Sequence, residues 1–150
     1  MQRLALILLV LAAMAAPAAA QAAAPEGRVR SLVNEARAAA GVAPLRHSPA
    51  LDASARRYAR SLLRRGVLAH GTRIAAPRRF TLLGENLALV GGRRPRPAVA
   101  VRLWLGSPAH RAVMLHGGMR EVGVGRAGGS FRGRAATVWV LHLGTAQLSR

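Results

Sequence analysis

The run Ala136-Thr137-Val138-Trp139-Val140-Leu141-His142-Leu143-Gly144 decides the fold. It is apolar at almost every position and rich in β-branched residues, so it reads as a strand, and the missing polar alternation marks it as covered on both faces. Ahead of it, Val122 and Val124 alternate with glycines and Gly128-Gly129 offers a turn. Together they predict a hairpin whose second strand is the central one. A strand buried on both faces needs helices on each side of its sheet, and the preceding chain supplies them.

Val29, Leu32, Val33 and Ala36 form an i, i+3, i+4, i+7 stripe that stops at Gly41, the mark of an amphipathic first helix. Asn34 and Arg37 beside the stripe are expected to tie this helix to a neighbouring loop. Ser48-Pro49 gives an N-cap and a first-turn proline for a second helix from Pro49 to Arg65, whose apolar face is Leu51, Ala55, Tyr58 and Leu62 and whose stop is Gly66. Arg56, Arg60 and Arg64 recur on its other side as a solvated face. The stretch 67–90, punctuated by Gly71, Pro77 and Gly84, is expected to be a loop region carrying polar chemistry. A basic turn, Gly91-Gly92-Arg93-Arg94-Pro95-Arg96-Pro97, precedes a third helix over 98–105. Ser107-Pro108 repeats the cap signal and opens a short fourth helix with Ala109, Val113 and Met114 facing inward. Helices first and strands last predict an α+β architecture with an antiparallel sheet between helices.

The amino terminus has its own pattern. Arg3, an apolar run from Leu4 to Met14 and the small residues Ala18-Ala19-Ala20 read as a secretory signal peptide over 1–20, since the run is shorter than the roughly 20 residues that cross a bilayer. A linker over 21–27, one domain over 28–146 and a tail over 147–150 are expected to follow, with the protein secreted or periplasmic. The chain has no cysteine, which excludes disulfides, thiol catalysis and thiolate zinc sites. Its net charge of +18 comes wholly from arginine and favours anionic partners such as envelope polymers or a membrane surface. Aromatics make up only 3% of the chain, which together with export argues against nucleic acid.

Three short strings carry the chemistry: Ala69-His70-Gly71-Thr72, Gly84-Glu85-Asn86-Leu87-Ala88, and Trp104 with Ser107-Pro108-Ala109-His110-Arg111. Two imidazoles and a carboxylate can ligate a divalent metal, zinc above all, or can form a hydrogen-bonded polar pocket in which Glu85 orients a histidine. Their spacing does not force a shared helical face, so convergence has to come from the fold. His142 shares parity with Val138 and Val140 and either faces the same groove or is a satisfied core histidine. His47 and His116 read as surface residues, and Trp104 and Trp139 as core.

In this order, with Val33-Asn34-Glu35-Ala36-Arg37, Val122-Gly123-Val124-Gly125 and the strand from Trp139 to Gly144, the motifs resemble the CAP superfamily, the SCP domain of cysteine-rich secretory, antigen 5 and pathogenesis-related proteins, most closely its bacterial branch. The resemblance implies an α-β-α sandwich with a central groove lined by histidines and glutamates, sometimes with a bound divalent metal. Carried over by motif, His70, Glu85 and His110 are the cavity and metal residues, with Asn86, Ser107 and His142 adjacent. Ala109 stands where glycine is usual and Val113 where asparagine is usual. Ser107 and Val138 stand where eukaryotic relatives place a second carboxylate and a strand histidine, so the resemblance implies an incomplete set and binding rather than turnover. The implied function is a binding module for a small apolar or amphipathic ligand. A metal-assisted hydrolase of peptide or cell-wall material, and a basic envelope protein with a vestigial cavity, are the alternatives. No nucleophile stands out, because Ser107 as a helix cap is expected to engage its hydroxyl with backbone donors.

Overall fold

A computed structural model describes residues 24–147; the expected signal peptide lies outside them. Helix α1 (Pro25–Ala39) is followed by the two-residue strand β1 (Arg46–His47) and helix α2 (Pro49–Arg65). Then come strand β2 (Phe80–Gly91), helices α3 (Pro97–Gly106) and α4 (Pro108–Met114), and the hairpin of β3 (Glu121–Phe131) and β4 (Arg134–Ala146). The sheet order is β1-β3-β4-β2, so β4 is central and buried continuously from Ala136 to Gly144. One face carries Trp139, Leu141 and Leu143 against α1, α3 and α4, and the other carries Val138 and Val140 against α2.

Several expectations are revised. The first helix opens at Pro25, inside the span read as linker, because proline suits the first helical position and Glu26 meets the positive end of the dipole. The stretch 67–90 is loop only to residue 79. Strand β2 escapes periodicity because Gly84-Glu85-Asn86 interrupts its apolar run and, as an edge strand, it buries its residues unevenly. The hairpin turn is Arg132-Gly133, with φ of 49° and 81° as a type I′ turn requires, whereas Gly128 and Gly129 pair inside the ladder with Thr137 and Ala136. The sheet is mixed, since β1 runs parallel to β3. Neither Ser48 nor Ser107 caps its helix through its side chain; Ser48 Oγ is buried without a partner. Ala109 points outward, leaving Met114 as the buried residue of α4.

The tightest contact is between α2 and β3. A Cβ on Gly123 would strike the α2 backbone at Leu51 and Asp52, and one on Gly125 would strike it at Ala55 and Arg56. Asp52 locks the seat: its Oδ1 accepts from the Val124 amide at 2.7 Å while Oδ2 meets His47 Nε2 at 2.6 Å. On the opposite side, Asn34 accepts from the Leu45 amide at 2.9 Å and donates to its carbonyl at 3.1 Å. Buried Arg37 donates to the carbonyls of Ala43 and Met114, both at 2.8 Å, so both residues tie α1 to loops as expected.

Gly125→Ala should therefore cost about 3 kcal/mol or more, because helix backbone cannot yield. Gly84→Ala should cost roughly 1 kcal/mol, since its Cβ would meet only the side-chain ends of Val113 and Met119, at 2.9 and 3.0 Å. Urea unfolding midpoints of the two variants decide this, and equal losses would refute the glycine seat.

Candidate functional site

The strand β2 positions the site by alternation. Glu85 and Asn86 are neighbours in sequence, so they point to opposite faces of the sheet. Glu85 points toward α2 and lies directly across from His142 in the β2–β4 register. Asn86 points the other way, is buried, and donates from Nδ2 to the His110 carbonyl at 2.9 Å, fastening α4 to the sheet. Gly84, beside them, leaves room for Val113 and Met119.

Glu85 uses both carboxylate oxygens on histidines. Oε1 lies 2.8 Å from His70 Nδ1 and Oε2 lies 2.9 Å from His142 Nε2. His142 Nδ1 in turn meets Ser54 Oγ of α2 at 3.0 Å. With Glu85 ionised and acceptor only, both imidazoles donate to it, so neutral His142 accepts the Ser54 hydroxyl proton at Nδ1. Neutral His70 then keeps a free lone pair on Nε2, and its side chain is 56% exposed where those of Glu85 and His142 are 7% and 1%. The result is a chain of hydrogen bonds, Ser54–His142–Glu85–His70, running from the buried sheet face to solvent.

The loop between α2 and β2 is fixed over this chain. Tyr58 stacks beside His142, ring centroids 6.4 Å apart, and its hydroxyl donates to the Ala69 carbonyl at 2.7 Å, holding His70 in place. Arg57 donates to the Ala75 carbonyl at 3.2 Å. Beneath lies a cavity of about 220 Å³ lined by Ser54, Arg57, Tyr58, Ser61, Arg73, Ile74, Ala75, Glu85 and His142.

The six sequence-derived residues thus divide. His70, Glu85 and His142 are joined directly. His110 comes near without joining the chain: its ring centroid is 6.2 Å from that of His70, it makes no bond to Glu85, and its backbone carbonyl accepts the Asn86 bond. Ser107 begins α4, its hydroxyl making no cap bond. The strand does supply a histidine, at position 142 rather than 138, because only 142 is opposite Glu85. Ser54, Tyr58 and Ser61 were not singled out as a site, although their i, i+4, i+7 spacing on α2 forms a polar stripe beside the apolar one.

The donor set does not fit a metal at His70, Glu85 and His110 as arranged. Both Glu85 oxygens are engaged, and among the described residues no three His, Cys, Asp or Glu side chains are grouped to hold an ion.

The family model described as "CAP: Cysteine-rich secretory protein family" matches residues 30–143, and the chain belongs to this family. Its fold is similar to that of an outer surface protein of Borrelia burgdorferi, with a TM-score of 0.70 at 19% identity over 84% of this chain and 96% of that one. It is also similar to an extracellular SCP-domain protein of Bacillus anthracis, TM-score 0.62 and 17% identity, covering 80% of this chain and 40% of that longer one. Venom allergen-like protein 4 of Schistosoma mansoni aligns with a TM-score of 0.56 at 14% identity over 79% and 86%. No curated protein matches the chain.

Removing the shared carboxylate should leave the buried His142 N–H without an acceptor. Glu85→Ala is expected to destabilise the protein by about 2 kcal/mol, and His70→Ala, at an exposed partner, by less than about 1 kcal/mol. Chemical denaturation of both variants tests the order, and a larger loss for His70→Ala would show that Glu85 is not the hub.

Proposed function

We propose that this protein is an exported CAP-domain binding module whose cavity between α2 and the loop preceding β2 takes one end of a small amphipathic ligand. Export is supported by the signal-peptide pattern in residues 1–20 and by the outer-surface and extracellular character of the similar Borrelia and Bacillus proteins. The observation that carries the ligand reading is the lining of the cavity. Glu85, His142 and Ser54 form a polar floor whose groups already satisfy one another, Tyr58, Ile74 and Ala75 give apolar wall, and Arg57 and Arg73 stand at the same cavity. Its volume of about 220 Å³ is below the roughly 300–1,000 Å³ of sites that enclose drug-sized ligands. A chain end or a single ring fits it; the remainder of a lipid would lie outside.

One feature favours a second reading, a hydrolase of peptide or cell-wall material. Glu85 orients His70 so that Nε2 is presented to solvent as a base. The nearest hydroxyl in the network, Ser54, is buried and bonded to His142, so a nucleophile would have to be an activated water.

Native mass spectrometry of protein purified without a metal-affinity tag, followed by titration with a fluorescent fatty acid, separates these readings. The binding reading expects retained or absorbed lipid, and a drop of roughly ten-fold or more when Ile74→Trp fills the cavity without touching the polar chain. Undiminished uptake by Ile74→Trp and by His70→Ala/Glu85→Ala would reject the cavity as the binding site. Turnover of peptide or peptidoglycan fragments, lost in His70→Ala, would move the assignment to the hydrolase.

A further inference from the structure

The end of the molecule formed by the β3–β4 turn collects positive charge that no carboxylate among the described residues pairs. Helix α2 runs along β3 to this end, where the Gly66 carbonyl accepts from Arg132 Nε at 2.7 Å. The β2–α3 turn reaches it too, since the Gly92 amide donates to the Ala135 carbonyl at 2.8 Å. Arg64, Arg65, Arg93, Arg94, Arg132 and Arg134 are consequently gathered there, all exposed. None of the six forms an ion pair among the described residues. The chain's five carboxylates lie elsewhere, each engaged: Glu26 with Arg126, Glu35 with Arg28, Asp52 with Arg30 and His47, Glu85 with its histidines, and Glu121 with Arg46 and Arg79.

A second observation sits against the first. Val67 and Leu68, immediately after Gly66, are 40% and 39% exposed and are two of the four large apolar side chains so exposed among the described residues. Two clefts of about 510 and 450 Å³ flank the hairpin end, lined by Arg93 in one and by Arg132 and Arg134 in the other.

We propose that this arginine-rich end, with Val67 and Leu68 beside it, is a docking surface for an anionic phospholipid bilayer. Arginines near such a surface gain from its negative potential, and an adjacent apolar pair gains by entering the headgroup boundary. A soluble polyanion would use the arginines and gain nothing from Val67 and Leu68, so the combination favours a lipid surface. No described helix is long and apolar enough to cross a membrane. This surface is separate from the His70–Glu85–His142 cavity and does not rest on the ligand reading.

The test is co-sedimentation of the folded protein with phosphatidylcholine vesicles, with and without phosphatidylglycerol, at low and physiological salt. Binding should require phosphatidylglycerol and weaken with salt. Arg93→Gln/Arg134→Gln should reduce it by roughly five-fold per arginine removed, while Arg93→Lys/Arg134→Lys, which keeps the charge, should retain it. Val67→Ser/Leu68→Ser should reduce it several-fold, and Arg102→Gln/Arg111→Gln, the same charge change on α3 and α4, should leave it nearly intact. Equal loss in that control pair would show a diffuse field rather than a site and overturn the proposal. So would binding indifferent to phosphatidylglycerol, loss in the lysine variant, or preferential capture of polyphosphate that Val67→Ser/Leu68→Ser does not alter.

Discussion

The seating of α2 on the glycines of β3 is the constraint from which the rest of the structure follows. Ordinary helix-on-sheet packing keeps side chains between the layers, whereas here the helix backbone rests where the Cβ atoms of Gly123 and Gly125 would be. Asp52 fixes the sliding coordinate by accepting the Val124 amide, a donor on the same strand between those glycines. With translation and height both set, Ser54 arrives within 3.0 Å of His142 and Tyr58 stacks beside it. A helix held by side-chain packing alone could shift by a fraction of an ångström, enough to break a hydrogen bond of that length. The positions of Ser54 and Tyr58 at the site are therefore set by a contact between two backbones.

The second determinant is the strict alternation of β2. Gly84, Glu85 and Asn86 do three different things because successive side chains leave a strand on opposite faces. Gly84 admits α4, Glu85 closes the histidine chain on the α2 side, and Asn86 anchors the carbonyl of His110 on the far side. A single strand segment thus couples the helices of both layers to the site. His110 belongs to the frame through its backbone, while its ring approaches that of His70 without bonding to Glu85.

What could be read in advance follows the range of the forces involved. The second helix was legible to the residue, Pro49–Arg65, because its start rests on a proline and its end on Gly66 at a φ of 61°, both local signals. The central strand was legible because burial on both faces leaves a compositional mark. Strand β2 was hidden by its own polar residues, since Gly84-Glu85-Asn86 breaks the apolar run that would have revealed it. The turn at Arg132-Gly133 escaped because two glycines a few residues earlier were the stronger local signal, yet those glycines are held in the ladder. The parity of His142 was readable, but its partnership with Glu85 spans 57 residues and depends on a strand register that no local pattern contains.

The distribution of charge completes the physical picture of a protein with 23 arginines, five carboxylates and no cysteine to staple it. Arg37 shows how such a chain makes a cross-link from the residue it has in excess. Its guanidinium is wholly buried without a carboxylate and donates to the carbonyls of Ala43, Met114, His116 and Met119, joining α1 to the segment between α4 and β3. Burial, and secondarily the charge of Arg120, lowers its pKa from the ordinary arginine value. Backbone carbonyls take the place of a counter-ion, and that releases the scarce carboxylates for other tasks: Asp52 to seat α2, Glu121 to hold Arg46 and Arg79, Glu85 to build the site. None is left over to neutralise the hairpin end. The same scarcity of carboxylates leaves the arginines of the hairpin end without counter-ions, beside the exposed side chains of Val67 and Leu68, and it is this juxtaposition on which the proposed docking of an anionic bilayer rests.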